Sequence, residues 1–359
     1  NSSTTMDLSG TGMLTVTNNA VIAQAIGSSA EVTISGTGSM STGNVIFSQN
    51  QSASSSLVMT GGEYAINGTL AAATGINSTN YVGIDGGSMT GAGNMEVAKG
   101  SGSITIWNVS DGLLSSDGDL LMAGGVNSSA SLNVSGTGAI STSGVLYVGN
   151  AIGAKGKVSV TGGELKIGTW LTMGVQTNSQ GLLEVTGGVV TVGNGITLVD
   201  NRRTGNTAAL TVSGTGIVYA DSLAVNKGGT FSGSLYVGAV AGTPASYAQV
   251  NSLALSSGAA LKGTVNMDGG TTTWISLNGT STGGADAITM DNLTILDGAK
   301  IVVDLSGFEI TGETTVTVLT LTSGSGLEDA DLSATGYDIM SWNVNIDWNA
   351  AKTALIATI

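Results

Sequence analysis

A unit of about 25 residues recurs along most of this chain. Its clearest copy is SLNVSGTGAISTSGVLYVG at residues 131–149, in which apolar and polar residues alternate on both sides of a Gly-Thr-Gly turn. This period-two alternation predicts short strands with one buried face. A unit so small cannot bury its own apolar face, so neighbouring units are expected to stack. The turn glycines of the successive copies are Gly10/Gly12, Gly36/Gly38, Gly61/Gly62, Gly86/Gly87, Gly112, Gly136/Gly138, Gly162/Gly163, Gly187/Gly188 and Gly214/Gly216.

The residues predicted to face inward keep a constant spacing from these glycines. Pairs of apolar residues stand at equivalent positions ahead of the turns: Val32/Ile34, Leu57/Met59, Val82/Ile84, Trp107/Val109, Leu132/Val134, Val158/Val160, Leu183/Val185 and Leu210/Val212. A fixed period with equivalent inward positions favours an all-β parallel β-solenoid, or β-helix, over a series of independent hairpins. In this register Val134 should be buried between Val109 and Val160, and Asn133 should face outward.

The sequence predicts two regions of different regularity. Residues 1–284 form the β-solenoid repeat domain, with regular turns to about residue 230 and variant turns after it. Residues 285–359 have a different pattern of strand-like segments and more acidic residues. We expect them to form a C-terminal all-β cap, assembly domain or small sandwich.

Composition narrows the possible functions. The chain has 359 residues with 57 glycines, no cysteine, no histidine, 9% charged residues and a net charge of −14. Such a charge disfavours nucleic acid as a partner, and no apolar run is long enough for a transmembrane helix. Without histidine or cysteine, His-based triads, thiol nucleophiles and most zinc sites are excluded.

Candidate catalytic groups are few. Asp117 and Asp119 could act as a carboxylate pair on a polysaccharide, and the only arginines lie in the segment DNRRTGN at residues 200–206, a predicted exposed turn. Isolated acidic residues leave structural calcium open, but the spacing of a calcium-binding repeat is absent. We therefore expect no catalytic residues, no cofactor and no bound metal, with a polysaccharide-active enzyme as the least favoured alternative.

Two sets of surface residues are candidates for contact or modification. Tyr147, Trp170 and Tyr236 are outward aromatic residues that could stack on a glycan or meet another subunit. Asn67, Asn77, Asn127 and Asn278 lie in Asn-x-Ser/Thr sequences that could accept glycosylation.

The turns (LxVSGTGxI followed by LxVG) and the ending (LTILDGAKIVVDLSG, TVTVLTLTSG and NVNIDWNAAKTALIATI) resemble the β-strand-repeat passenger domains of autotransporter-type and related large bacterial surface proteins. The resemblance covers most of the chain. It implies an extracellular or cell-surface location, which we expect to follow removal of a leader, because the sequence begins with Asn1. It does not imply one particular activity.

The expected function is that of a structural subunit in an extracellular filament or surface assembly. The terminal turn of a solenoid exposes unpaired backbone groups, and the first turn of this chain starts almost at once. Copies of the chain are therefore predicted to join head-to-tail into a homopolymer through their terminal strands, at residues Leu8, Leu14, Val16, Leu355, Ile356 and Ile359. The main alternative is a monomeric stalk or adhesin that binds surface glycans.

Overall fold

The chain winds into an all-β solenoid of about 12 stacked turns. This architecture is seen in a computed structural model, which describes residues 2–280, 284–336 and 343–359. The strands of successive turns pair in parallel, and the inward side chains form one continuous apolar core from Ile22 to Ile359. The predicted fold class is confirmed.

Each of the first six turns contains three short strands. They are β1 (Ser3–Leu8), β2 (Met13–Val16), β3 (Ala20–Ile22), β4 (Ser29–Ile34), β5 (Ser39–Thr42), β6 (Val45–Phe47), β7 (Ser54–Met59), β8 (Glu63–Ile66), β9 (Leu70–Ala72), β10 (Thr79–Ile84), β11 (Ser88–Gly91), β12 (Met95–Val97), β13 (Ile104–Val109), β14 (Leu113–Ser116), β15 (Leu120–Met122), β16 (Ser129–Val134), β17 (Ala139–Thr142) and β18 (Leu146–Val148). The strands of a turn lie on three sides of the core, and each pairs with its counterpart in the next turn.

The register follows the period of the sequence. Val134 pairs with Val109 on one side and Val160 on the other, and its side chain is 1% exposed. Asn133 faces outward, where its Nδ2 donates a hydrogen bond to Asn108 Oδ1 at 2.7 Å. The predicted register is therefore correct, and side chains at equivalent positions stack in columns along the solenoid.

The next three turns keep the same path with longer strands. They consist of β19 (Lys155–Ile167), β20 (Trp170–Met173), β21 (Gln180–Leu198), β22 (Thr207–Val212) and β23 (Ile217–Val225). β21 alone runs round a whole turn, because its Gly-Gly and Gly-Asn-Gly segments bend the chain without interrupting strand pairing.

From β24 onward each turn contains two strands, apart from the short β28, which pairs antiparallel with β27. These are β24 (Gly229–Val237), β25 (Tyr247–Ser256), β26 (Ala260–Met267), β27 (Thr272–Thr280), β28 (Gly284–Ala285), β29 (Ile288–Ile295), β30 (Lys300–Glu309), β31 (Thr315–Ser325) and β32 (Asp331–Thr335). Parallel pairing of β26 with β29 and of β27 with β30 continues past residue 284, so the solenoid core extends into the predicted C-terminal region. The domain boundary itself stays a prediction.

Antiparallel strands close the C-terminal end. A 3-10 turn at Leu327–Asp329 precedes β32, and β33 (Asn345–Trp348) and β34 (Ala354–Thr358) form a hairpin. β34 also pairs antiparallel with β31. This hairpin covers only the last part of residues 285–359, for which the sequence predicts an all-β cap.

Candidate functional site

No described residue covers the side of the first turn that faces away from the solenoid. Among the described residues, β1, β2 and β3 each pair on one edge only, with β4, β5 and β6. The predicted assembly residues Leu8, Leu14 and Val16 point towards the core as expected, but they are only half-buried. In the second turn the counterparts of Leu8 and Leu14 are Ile34 and Met40, which are 0% and 3% exposed. The first turn therefore presents core-type side chains that a neighbouring layer would cover.

Backbone groups at this open edge alternate in direction. The carbonyls of Ser2 and Leu8 accept hydrogen bonds from Ser29 and Ser35 of the second turn. Because successive peptide groups of a strand point in opposite directions, the backbone groups of Thr5 and Asp7 point to the unpaired edge. A hollow of about 380 Å3 opens beside β1, with Met6 and Ile22 among its lining residues. Main-chain donors and apolar side chains are thus available together at this end.

The C-terminal assembly residues lie inside the fold. Leu355 is 0% and Ile359 is 6% exposed, whereas Ile356 is half-buried and pairs with Thr317 and Asp347. Both edges of β34 are occupied, by β31 and β33. In the described part of the chain, the strands with one paired edge at this end are β32 and β33, which the sequence did not single out. A role for the three predicted residues in assembly stays a prediction.

The three predicted aromatic contact residues are not brought together in one site. Tyr147 is half-buried on β18, opposite Thr172. Trp170 is 42% exposed, and its indole covers Gly195 of the next turn, where an added Cβ would lie 2.6 Å from the ring. The indole fills the space that the missing side chain leaves, which is a packing role.

Tyr236 belongs to a separate aromatic cluster. Its ring lies edge to face with Tyr247, with ring centroids 6.0 Å apart, and Tyr247 makes the same contact with Tyr219 at 5.9 Å. The hydroxyl groups of Tyr219 and Tyr247 share a hydrogen bond of 2.7 Å, which raises the pKa of Tyr247. The sequence did not reveal this cluster, because its members come from three different strands.

The predicted glycosylation residues Asn67, Asn77, Asn127 and Asn278 are all exposed. Asn77 and Asn127 occupy the same corner of the solenoid with positive φ values of 53° and 55°. Their modification stays a prediction.

Carboxylates in the corners bind backbone groups of the neighbouring turn. Asp119 Oδ1 accepts a hydrogen bond from Val145 N at 2.8 Å, and Asp111 Oδ1 accepts one from the Thr137 hydroxyl, also at 2.8 Å. The bonds from Thr137 lower the pKa of Asp111. Within the described residues, no group of three carboxylates is arranged to hold a metal ion. These interactions give Asp111 and Asp119 structural roles, and the expectation that the chain is not an enzyme stays a prediction.

The corner that carries the two arginines lies beside a surface hollow, and Arg203 lines this hollow. The corner at residues 199–206 is two residues longer than the preceding corner at 174–179. Asp200 holds Arg202 through hydrogen bonds of 2.9 Å to Nε and 2.8 Å to Nη2, which lower the pKa of Asp200. Asn206 is 5% exposed and donates to the carbonyls of Gly174 and Asp200, at 2.7 Å and 3.0 Å. The longer corner is therefore anchored, and it forms one wall of a hollow of about 860 Å3.

Comparisons with known proteins add no assignment: no family model, no curated protein and no solved structure matches the chain. The resemblance to autotransporter-type passenger domains stays a prediction. Across residues 2–280, 284–336 and 343–359, the structure contains no helix of the length and apolar character needed to cross a membrane.

Proposed function

We propose that this chain is a structural subunit of an extracellular filament or surface assembly, in which copies join end to end. The observation that carries the proposal is the first turn, whose three strands each pair on one edge only among the described residues and whose core-type side chains are half-buried. A flat apolar layer edged with free backbone donors and acceptors is a template for strand addition.

A second copy of the chain is the proposed occupant. The first turn exposes strands on three sides of the core, so a partner must supply strands or apolar side chains over the same cross-section. The end of another β-solenoid meets this requirement. At the C-terminal end, β32 and β33 offer open strand edges, whereas β34 would contribute through the half-buried side chain of Ile356. A head-to-tail contact of this kind repeats without closing and builds a filament.

The distribution of charge predicts that filament growth depends on the salt concentration. Eleven of the 24 acidic residues, but only two of the ten basic residues, lie in residues 284–359, and Asp7 and Glu31 lie near the open first turn. End-to-end contact therefore brings negative charges together. Since the Debye length falls from about 30 Å at 0.01 M salt to about 8 Å at 0.15 M, filament growth should increase with ionic strength over this range.

The test is a proline substitution at the open edge. Thr5→Pro removes a backbone N–H that points away from β4, so it should leave the first turn folded but prevent a strand from adding there. Thr5→Val is the matched control, because it keeps the N–H and favours a strand. We expect filaments by electron microscopy for the wild type and Thr5→Val, and monomers by sedimentation velocity for Thr5→Pro, with unchanged circular dichroism.

Two results would overturn the proposal. One is a wild-type chain that stays monomeric at millimolar concentration and physiological salt. The other is equal polymerisation of Thr5→Pro and Thr5→Val. In either case a monomeric stalk that presents a binding surface becomes the better account of the same fold.

A further inference from the structure

We propose that the hollow beside residues 199–206 binds an acidic saccharide, meaning a sugar that carries a carboxylate. The hollow has a volume of about 860 Å3 and is lined by residues from four successive corners of the solenoid. This volume lies within the usual range of about 300 to 1,000 Å3 for small-molecule sites. The proposed ligand site is independent of end-to-end assembly.

The charges at the hollow leave one cation for a ligand. Arg202 is paired with Asp200, and Lys227 forms an ion pair with Asp286 across the hollow. Arg203 also lines it, and the Arg203 side chain makes no ion pair with any residue in the described ranges. A guanidinium group binds a carboxylate through two parallel hydrogen bonds. Because a single positive charge is left unpaired, the site suits a monoanion such as a carboxylate.

The rest of the lining suits hydroxyl groups. Asn201 and Asn278 present exposed amides, each able to donate and accept, and the carboxylate of Asp286 can accept from a hydroxyl. The described lining contains no aromatic residue on which a nucleobase or another flat ligand could stack. A polyhydroxylated ligand with one carboxylate matches both the charge and the polarity of the hollow.

The longer corner makes the site rigid enough to be specific. Asp200 is 8% exposed and holds both the backbone N–H and the guanidinium of Arg202, while Asn206 ties the end of the corner to Gly174 and Asp200. Arg203 follows directly and donates its own backbone N–H to the carbonyl of Asp200 at 3.2 Å. The backbone that carries Arg203 is therefore fixed before a ligand arrives, which reduces the entropy lost on binding.

The experiment measures binding of sodium galacturonate, sodium glucuronate and N-acetylneuraminate by saturation-transfer NMR and calorimetry on the full chain. Galactose and glucose serve as neutral counterparts, and sodium sulfate tests for a general anion site. We expect at least one of the acidic sugars to bind, and to bind more tightly than the neutral sugars and sulfate. Arg203→Gln should weaken this binding by about 10- to 100-fold, the usual effect of losing hydrogen bonds to a charged group.

Lys155→Gln is the matched control. It also removes one cation that has no ion pair among the described residues, but Lys155 lines a neighbouring hollow that shares only Thr207 and Gly228 with the proposed site. Binding should be unchanged in this variant, which separates a local contact from the effect of net charge. The assignment is overturned if no acidic sugar binds, if sulfate or a neutral sugar binds equally well, or if Arg203→Gln and Lys155→Gln have the same effect.

Discussion

A chain of buried hydrogen bonds crosses the core near β10 and β13, and it can be tested by one pair of substitutions. Trp107, 1% exposed, donates from Nε1 to Asn80 Oδ1 at 2.9 Å. Asn80, 3% exposed, donates from Nδ2 to Ser55 Oγ at 3.0 Å, and Ser55 in turn shares a bond of 2.6 Å with Ser48. Asn80 therefore satisfies two buried partners at once.

Asn80→Leu keeps the approximate volume of the side chain but removes both hydrogen bonds. The indole N–H of Trp107 is then left buried without a partner, while the hydroxyl of Ser55 can still bond to Ser48. A buried donor without a partner costs about 1 to 3 kcal/mol, and the second lost bond adds about 1 kcal/mol. We expect Asn80→Leu to lower the free energy of unfolding by about 2 to 4 kcal/mol.

Thr105→Val is the matched control, and we expect it to change the free energy of unfolding in the opposite direction. Thr105 occupies the same column, directly paired with Asn80, and its hydroxyl is buried without a hydrogen-bond partner in the structure. Replacing it with the isosteric valine removes an unsatisfied polar group, so stability should rise by up to about 1 kcal/mol. Urea denaturation, together with hydrogen exchange in residues 79–109, measures both changes without assuming that a repeat protein unfolds in one step. Similar effects from the two variants would refute this account of the core.

Two further predictions test the register and the response to alkaline pH. Val134→Asp places an unpaired charge in the core and should cost at least about 3 kcal/mol in urea denaturation, whereas the outward Asn133→Asp should cost less than about 1 kcal/mol; equal losses would contradict the register. Burial raises the pKa of Tyr64 to about 12, so its neutral form stabilises the fold fully below its unfolded pKa of about 10, and this contribution is lost as the pH rises towards 12. Tyr64→Phe should remove about 2 to 3 kcal/mol of this alkaline destabilisation, and an identical pH profile for the wild type and the variant would contradict it.

The sequence predicts the solenoid well because its signal is repeated in every turn. The positions of Val109, Val134 and Val160 follow from a period of 25 or 26 residues, since a shift by one residue would turn every apolar side chain outward. The closing hairpin is different. Its antiparallel pairing of β34 with β31 joins segments without any repeat, so the predicted open C-terminal strand is instead an interior one.

The candidate sites could be predicted only in part. The first turn was recognisable because Leu8 and Leu14 match the inward positions of later turns. The hollow was not, because its walls come from four corners that are far apart in the sequence and share no motif. One missed signal was present: Asn19, Asn44, Asn94 and Asp119 recur at multiples of 25 residues. In the structure, the Asn94 and Asp119 side chains accept hydrogen bonds from the backbone of the following turn.

The scarcity of charge follows from the stacking of turns. Equivalent positions of neighbouring strands lie about 4.8 Å apart, and two like charges at that distance repel by about 1 kcal/mol even in water. A charged residue therefore cannot repeat in a column as Asn or Ser can. Two of the ion pairs in the described residues join strands of successive turns: Lys157 with Glu184 at 2.7 Å and Lys300 with Asp331 at 3.7 Å. Arg203 departs from this pattern, because it lines a hollow of about 860 Å3 and forms no ion pair with a described residue. Its charge acts on Asp200, but Arg202 already binds that carboxylate. The stacking of turns does not explain why a cation is kept at this position. A binding function for Arg203 would explain it.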